Sequence, residues 1–297
     1  MNLRYPHRDK LNAALRNPKC SADFDLLQEA MIAYDEWIAA TSSLTTAGRE
    51  RVGQMVSLLN EYKDFLEVDL IADRGSPFIR RQKGQLKLDN SVLEEFAIQL
   101  IHPKIISGLP NFELSIGPNT AFMSLSFMPA SIESLSGPPA IVLKRKDQDF
   151  ALGKVIHYQF SPDEGFNPSE TSSGSFCLAV FAAEIKVNYD KTMFQECAGT
   201  AARLKQGCPI AKYYALVEYL DMTPEDCRLT EIDNVFLLRR AKRLPAGKRD
   251  DASEVRSAHK DNPIQADVIW SFVEEIQAFV QAVWYDPDAA LKRGSFV

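Results

Sequence analysis

The sequence predicts an α/β (α+β) protein: a mixed β-sheet flanked by helices, with a helical N-terminal region. Three observations carry this expectation. The first hundred residues place their apolar side chains at helical spacing. From Gly108 onward Pro and Gly become frequent and short β-type runs appear. One of these, Phe176–Ala183, holds eight consecutive apolar residues, as a strand buried on both faces does.

Taken in order, Ala22 to Ala40 puts Phe24, Leu27, Ala30, Met31, Tyr34 and Ile38 on one stripe, which predicts a helix. Arg51 to Phe65 repeats the pattern through Val52, Met55, Val56, Leu59, Tyr62 and Leu66. Ala72 to Asn90 is polar, basic and Gly-containing, and is expected to be a flexible loop. Ser91 to Glu94 has the spacing of a capping box and starts a third helix, through Leu100. Phe122–Phe127, Ala140–Leu143 and Asp149–Phe160 read as strands, and Ser161–Ser175 as a loop rich in Pro, Gly and Ser. After the Phe176 strand, Lys191–Gln206 reads as a helix ending before Gly207, followed by strands Lys212–Leu220 and Asn234–Leu238. Two buried strands joined by a helix make a βαβ unit. Asp267–Trp284 is the cleanest helical stripe, with Val283 and Trp284 as its last members. The division expected is a mainly helical region over 1–107 and a sheet-containing core with a C-terminal helix over 108–297.

Composition narrows the class. At 297 residues, 45% hydrophobic and 25% charged, the chain has the make-up of a globular protein with a sizeable core. No apolar run is long enough to cross a bilayer, and Met1–Lys19 lacks the apolar core of a signal peptide, so no membrane partner and a cytoplasmic location are expected. The five cysteines are scattered without a C-x-x-C pair, which fits free thiols in a reducing compartment. The net charge of −6 does not exclude nucleic acid, because local patches decide phosphate binding. Positive charge is clustered at Arg80, Arg81, Lys83 and Lys87, at Lys144 to Lys146, and at Arg239, Arg240, Lys242 and Arg243 with Lys248 and Arg249 following. Arg80, Arg81, Lys144, Arg239, Arg240, Lys242 and Arg243 are the DNA-contact candidates.

The chemistry sits where the buried run ends, in Glu184-Ile185-Lys186. Side chains alternate along a strand, so Glu184 and Lys186 share one face. A carboxylate and an ammonium at the end of a buried strand are costly unless something uses them. Phosphodiester hydrolysis is such a use: the acid holds a divalent cation, while the amine orients the attacking water and offsets phosphate charge. This is the E-x-K half of a PD-(D/E)xK nuclease site. It requires a second acid from a neighbouring segment, and two compete. Pro162-Asp163 spells the motif but lies in a loop. Asp149 opens a strand, and rigid elements position ligands better, which favours Asp149, with Asp147 a lesser neighbour. Asp149, Glu184 and Lys186 are therefore the catalytic candidates, and Asp149, Glu184 and the Ile185 carbonyl the metal ligands. Gln195 and Glu196 on the following helix are second-tier candidates for orienting the water or contacting a metal-bound water, Asp147 and Asp163 are second-tier acids, and Glu94 and Glu95 are weaker additions.

Beyond the tripeptide, several blocks resemble the BbvCI-type heterodimeric restriction endonucleases. They are Glu184-Ile-Lys186 with Met193 to Lys205 and Pro209, Tyr213-Tyr214 with Glu218-Tyr-Leu220, Leu229 to Asp233, and Trp284 to Gly294. Upstream, Tyr62-Lys63, Leu93 to Phe96, Ser124 to Phe127, and Lys146-Asp147-Gln-Asp149-Phe150 extend the similarity from about residue 55. The Cys197-Ala-Gly-Thr block is the most specific. The resemblance implies a restriction-endonuclease-like PD-(D/E)xK sheet and Mg²⁺ as cofactor, with Mn²⁺ as a substitute. It also implies a bacterial restriction–modification role, a short asymmetric duplex target of the CCTNAGC kind, and one strand cut per subunit. The partner is then a related second subunit, or a second copy in a homodimeric relative. Within the family pattern the acidic pair before the E-x-K strand supports Asp149 over Asp163.

Overall fold

The computed structural model describes residues 5–109, 113–249, 251–282 and 286–295. Helices α1 (Pro6–Leu15), α2 (Phe24–Ser43) and α3 (Gly48–Lys63) open the chain. Helix α1 was not singled out in the sequence, whose first twenty residues are polar. Beyond Lys63 the helix continues in wider π-type turns, Asp64–Arg74, and is followed by α4 (Pro77–Gln82). The expected flexible loop over 72–90 is therefore largely ordered, because Ile79 and Leu88 anchor it with no exposed surface. Helix α5 (Asn90–Leu100) starts two residues earlier than a Ser91 cap implies, capped by Asp89, whose carboxylate accepts from the Asn90 N–H. Ser91 is not the cap; its hydroxyl donates to the Lys87 carbonyl.

The sheet has five strands among the described residues, in the order β1 (Ser115–Phe127), β2 (Ile141–Phe160), β3 (Ser172–Tyr189), β4 (Lys212–Leu220), β5 (Asn234–Lys242). Strands β1 to β3 pair antiparallel in succession, whereas β3, β4 and β5 are parallel. The two short runs expected near Ala140 and Asp149 fuse into one long strand, β2. Its pairing with β3 slips register between Leu152 and Gly153, and at Gly153 a side-chain Cβ would lie 2.4 Å from the Leu178 carbonyl oxygen. Helix α6 (Lys191–Gly207) joins β3 to β4 as the expected βαβ unit. It runs through Gly207 instead of stopping before it. The glycine packs on β1 so closely that a Cβ would sit 2.4 Å from the Met123 carbonyl oxygen. Helices α7 (Ala252–Asp261), α8 (Ala266–Gln281) and α9 (Pro287–Arg293) complete the chain. Val283 and Trp284, the last expected members of the α8 stripe, lie outside the described residues. No helix among the described residues is long and apolar enough to cross a membrane.

The sheet is covered on both faces. One hydrophobic cluster joins the N-terminal helices and α8 to Phe150, Phe181, Ile185, Tyr214 and Phe236, and the other packs α6 against Ala182, Tyr213, Ala215 and Val217. Within these layers His7 is a buried polar group with partners on both ring nitrogens. His7 is fully buried, with Nδ1 2.8 Å from Ser91 Oγ and Nε2 2.6 Å from the Tyr62 hydroxyl, and it ties α1 to α3 and α5. Burial, reinforced by the nearby Lys63 ammonium, pushes its imidazole down to about 3. The unfolded chain binds this proton near 6.5. The stability from neutral His7 is thus complete above pH 6.5 and is lost as pH falls toward 3. Urea titrations across pH 4–7 are expected to show a steeper acid loss for the native chain than for His7→Gln, by up to about 1.4 kcal/mol per pH unit. Equal slopes would contradict this assignment.

Candidate active site

The site forms where β2 and β3 run past each other. Phe150 pairs with Ala183, so Asp149 precedes the last paired residue of one strand just as Glu184 follows that of the other. Opposite them, β1 and β2 slip register: Gly117 pairs with Ala151 but Asn119 with Gln148, so Asp149 and Phe150 together face Pro118. Two residues against one is a β-bulge, a device that re-aims a side chain. It lets Phe150 enter the core while Asp149 turns toward β3.

Lys186 Nζ stands 2.6 Å from Glu184 Oε1 and 3.1 Å from Asp149 Oδ2. The same Asp149 Oδ2 accepts the Ile185 N–H at 3.1 Å. In a strand, the carbonyl of a residue lies along the same edge as its N–H. The Ile185 carbonyl therefore faces the edge that Asp149 occupies. Burial disfavours the Lys186 ammonium, but Asp149 and Glu184 outweigh it and hold the amine above its ordinary range. Lys186 is a cation here, and it has no free electron pair with which to act as a base.

Further groups that the sequence reading weighed lightly or missed converge on this trio. Glu94, from α5, is buried and accepts from Lys87 Nζ at 3.1 Å and from Asn90 Nδ2 at 2.8 Å. Burial, and then the Asp149 charge, raise its carboxyl. Lys87 also reaches Asp149 Oδ1 at 3.3 Å. The result is an alternating chain of charge: Glu94, Lys87, Asp149, Lys186, Glu184. The Tyr213 hydroxyl donates to Glu184 Oε2 at 3.3 Å from β4, and nothing in its sequence position signalled this. Cys197 borders the site from α6, its thiol pushed up to about 12 first by burial and then by Glu184.

The remaining candidates fall elsewhere. Asp147 is exposed and accepts from Thr120 Oγ1 at 2.6 Å, on the wall of a cleft of about 480 Å³ shared with Asp149, Lys87, Glu94 and Arg145. Asp163 shapes its own loop, accepting the Asn167 N–H at 3.2 Å. Gln195 and Glu196 are exposed on α6, and Glu95 is tied to the His7 N–H and the Tyr34 hydroxyl. Arg80, Arg81 and Arg243, with Lys83 and Arg249, line a cleft of about 350 Å³ that also meets Val187 and Asn188, just past the E-x-K tripeptide. Lys144 and Lys242 are exposed, and Arg240 pairs with Asp267. Arg239 is the exception: it is 1% exposed, with Nε 2.9 Å from Glu218 Oε1 and Nη1 3.0 Å from the Asn262 carbonyl. This corrects its expected place among the DNA contacts: β5 slips register against β4 between Leu237 and Ala241, with Arg240 at a φ of 50°, so that Leu238 and Arg239 are both buried and Arg240 is exposed.

The donor set suits a hard divalent cation. Two carboxylates converge on a single cation position, and a strand-edge carbonyl lies alongside. No group of three or more His, Cys, Asp or Glu side chains among the described residues is placed to hold a metal ion. Mg²⁺ needs none, since it binds through one or two carboxylates and keeps several waters.

Comparison with known proteins was made on sequence and on fold. Residues 85–296 match the family of the Bpu10I restriction endonuclease. A chain of the native BbvCI A2B2 tetramer superposes with a TM-score of 0.68 at 17% identity, over 95% of this chain and 99% of that chain, a likeness of fold. No curated protein sequence matches.

Proposed function

The chain belongs to the Bpu10I restriction endonuclease family, and from that premise we propose that it is one subunit of a type II enzyme that cuts one strand of duplex DNA at Asp149, Glu184 and Lys186. The observation that carries this reading is the convergence of Asp149 and Glu184 on one cation position, 3.1 and 2.6 Å from Lys186 Nζ.

Asp149, Glu184 and the Ile185 carbonyl are the groups to hold Mg²⁺ or Mn²⁺. Bound there, the ion would supply Lewis acidity toward the scissile phosphate and toward water. Lys186, fixed as a cation, donates hydrogen bonds: it orients the attacking water in line and offsets charge developing on the phosphate. Tyr213 steadies the Glu184 carboxylate through its hydroxyl. The basic cleft around Arg80, Arg81 and Arg243 and the exposed Lys144 and Lys242 are assigned to the DNA backbone, where contacts position the duplex. The helical region 1–107 is assigned to DNA and subunit contacts. By analogy with its relatives the chain works in the bacterial cytoplasm beside a related second subunit or a second copy, on an asymmetric target of the CCTNAGC kind.

Digesting a plasmid with the assembled enzyme and Mg²⁺, then sequencing the ends, tests the reading. Discrete ends carrying 5′-phosphates are expected. Scattered ends would point to a nuclease without strict specificity, and intact plasmid to a silent binding subunit. Separately, Asp149→Asn is expected to weaken divalent-ion binding roughly 10- to 100-fold or more, since even outer-shell partners of a metal carry that much. An unchanged metal titration would return Asp163 to consideration.

A further inference from the structure

The two oxygens of Asp149 serve different neighbours. Oδ2 faces β3, receiving the Ile185 N–H and Lys186 Nζ at 3.1 Å each. Oδ1 faces α5, with Lys87 Nζ at 3.3 Å, and the same ammonium lies 3.1 Å from Glu94 Oε1. A two-metal phosphodiesterase places its ions about 3.5–4 Å apart, and they commonly share one carboxylate. The pairs Asp149/Glu184 and Asp149/Glu94 have that layout, and Lys87 stands in the second.

We propose that Lys87 is a built-in cation in the place of a second divalent ion, so that each active site binds one ion, on the Glu184 side of Asp149. This inference rests on the metal-dependent reading above. It goes beyond that reading in fixing the number of ions and the residue that sets it.

The backbone holds Lys87 there. Its φ of 54° is in the left-handed region, which is unfavourable for a non-glycine residue and persists only where the surroundings impose it. They do: the Lys87 N–H donates to the Gly84 carbonyl at 3.1 Å, and the Lys87 carbonyl accepts the Ser91 N–H at 3.2 Å. Ser91 Oγ also donates to that carbonyl and is itself held by His7, while the adjacent Leu88 is fully buried. Lys186 is placed differently. It lies on β3 between the Asp149 and Glu184 oxygens, and under this proposal it shifts toward a phosphate when an ion takes that position.

Charge balance agrees. Three carboxylates against two ammoniums leave one negative charge. One divalent ion and one phosphodiester then bring the site to neutrality, whereas a second ion leaves two positive charges in excess within a half-buried cleft, where excess charge is costly.

Anomalous scattering from crystals of the assembled enzyme soaked in Mn²⁺ tests this without any activity measurement. One peak is expected in the native protein, between Asp149 and Glu184. Lys87→Met is expected to gain a second peak between Asp149 and Glu94, and Lys87→Arg to keep one. Two peaks in the native protein overturn the inference, and so does a single peak in Lys87→Met. If Lys87→Met does not fold, Lys87→Gln carries the same expectation. A native protein with no Mn²⁺ on either side of Asp149 refutes the metal reading itself, and this inference falls with it.

Discussion

Glu184→Ala is expected to reduce DNA cleavage by the assembled enzyme about a thousandfold or more while leaving the fold intact. Glu184 is one of two carboxylates on the cation position, and it lies within 2.6 Å of Lys186. Its removal takes away half of the acidic ligand set and releases Lys186 from the pair that orients it. Loss of metal-assisted charge stabilisation is worth several kcal/mol in the transition state, and each 1.36 kcal/mol is a factor of ten. The side chain is partly exposed although it lies within β3, so its truncation leaves no cavity in the core. Plasmid nicking under single-turnover conditions, with circular dichroism to check folding, measures both parts. Undiminished cleavage would remove Glu184 from the chemistry.

The second large effect concerns stability. Glu218, in the middle of β4, has no exposed surface, and it neutralises two buried cations: Lys63 Nζ at 3.0 Å and Arg239 Nε at 2.9 Å. Glu67 pairs with the same Lys63, and Arg239 stacks over the Tyr219 ring at 5.4 Å. Glu218→Ala leaves two ammonium and guanidinium charges facing one carboxylate inside the protein. Breaking a buried pair in this way costs about 3–5 kcal/mol. Denaturant unfolding is expected to show that loss. Replacing Lys63, Glu67, Glu218 and Arg239 together by apolar residues of similar size should restore most of it, because the charges are then removed along with their partners. A loss below about 1 kcal/mol in Glu218→Ala would show that water reaches the network.

These two residues mark what the sequence discloses and what it withholds. Glu184 and Lys186 were legible because an apolar run leads straight into them, and strand alternation fixes their common face. Asp149 was legible from the argument that a strand holds a ligand better than a loop, although the bulge opposite Pro118 that aims it was not. Glu218 and Arg239 were harder. A charge in a run of basic residues resembles a solvated face, and the demand for a buried cation came from another strand, across the sheet. One signal existed, an acid inside the otherwise apolar run Lys212–Leu220, whereas the register slip in β5 that buries Arg239 next to Leu238 left none. Lys87 was hidden more deeply. It lies in a polar stretch that reads as flexible, and its placement depends on a left-handed residue pinned by Leu88 and Ser91. Glu94 ranked only as a weaker addition because a helix buried on nearly every side, as α5 is, looks from sequence like one with a polar face.

The central claim is that this chain's own Asp149–Glu184–Lys186 cluster cuts one strand of the duplex. Assembling Lys186→Ala with a native second subunit, whether a related chain or a second copy, and resolving the two strands of a labelled duplex tests it most directly. One strand cut and the other intact is the predicted result; cleavage of both strands at native rates would contradict it.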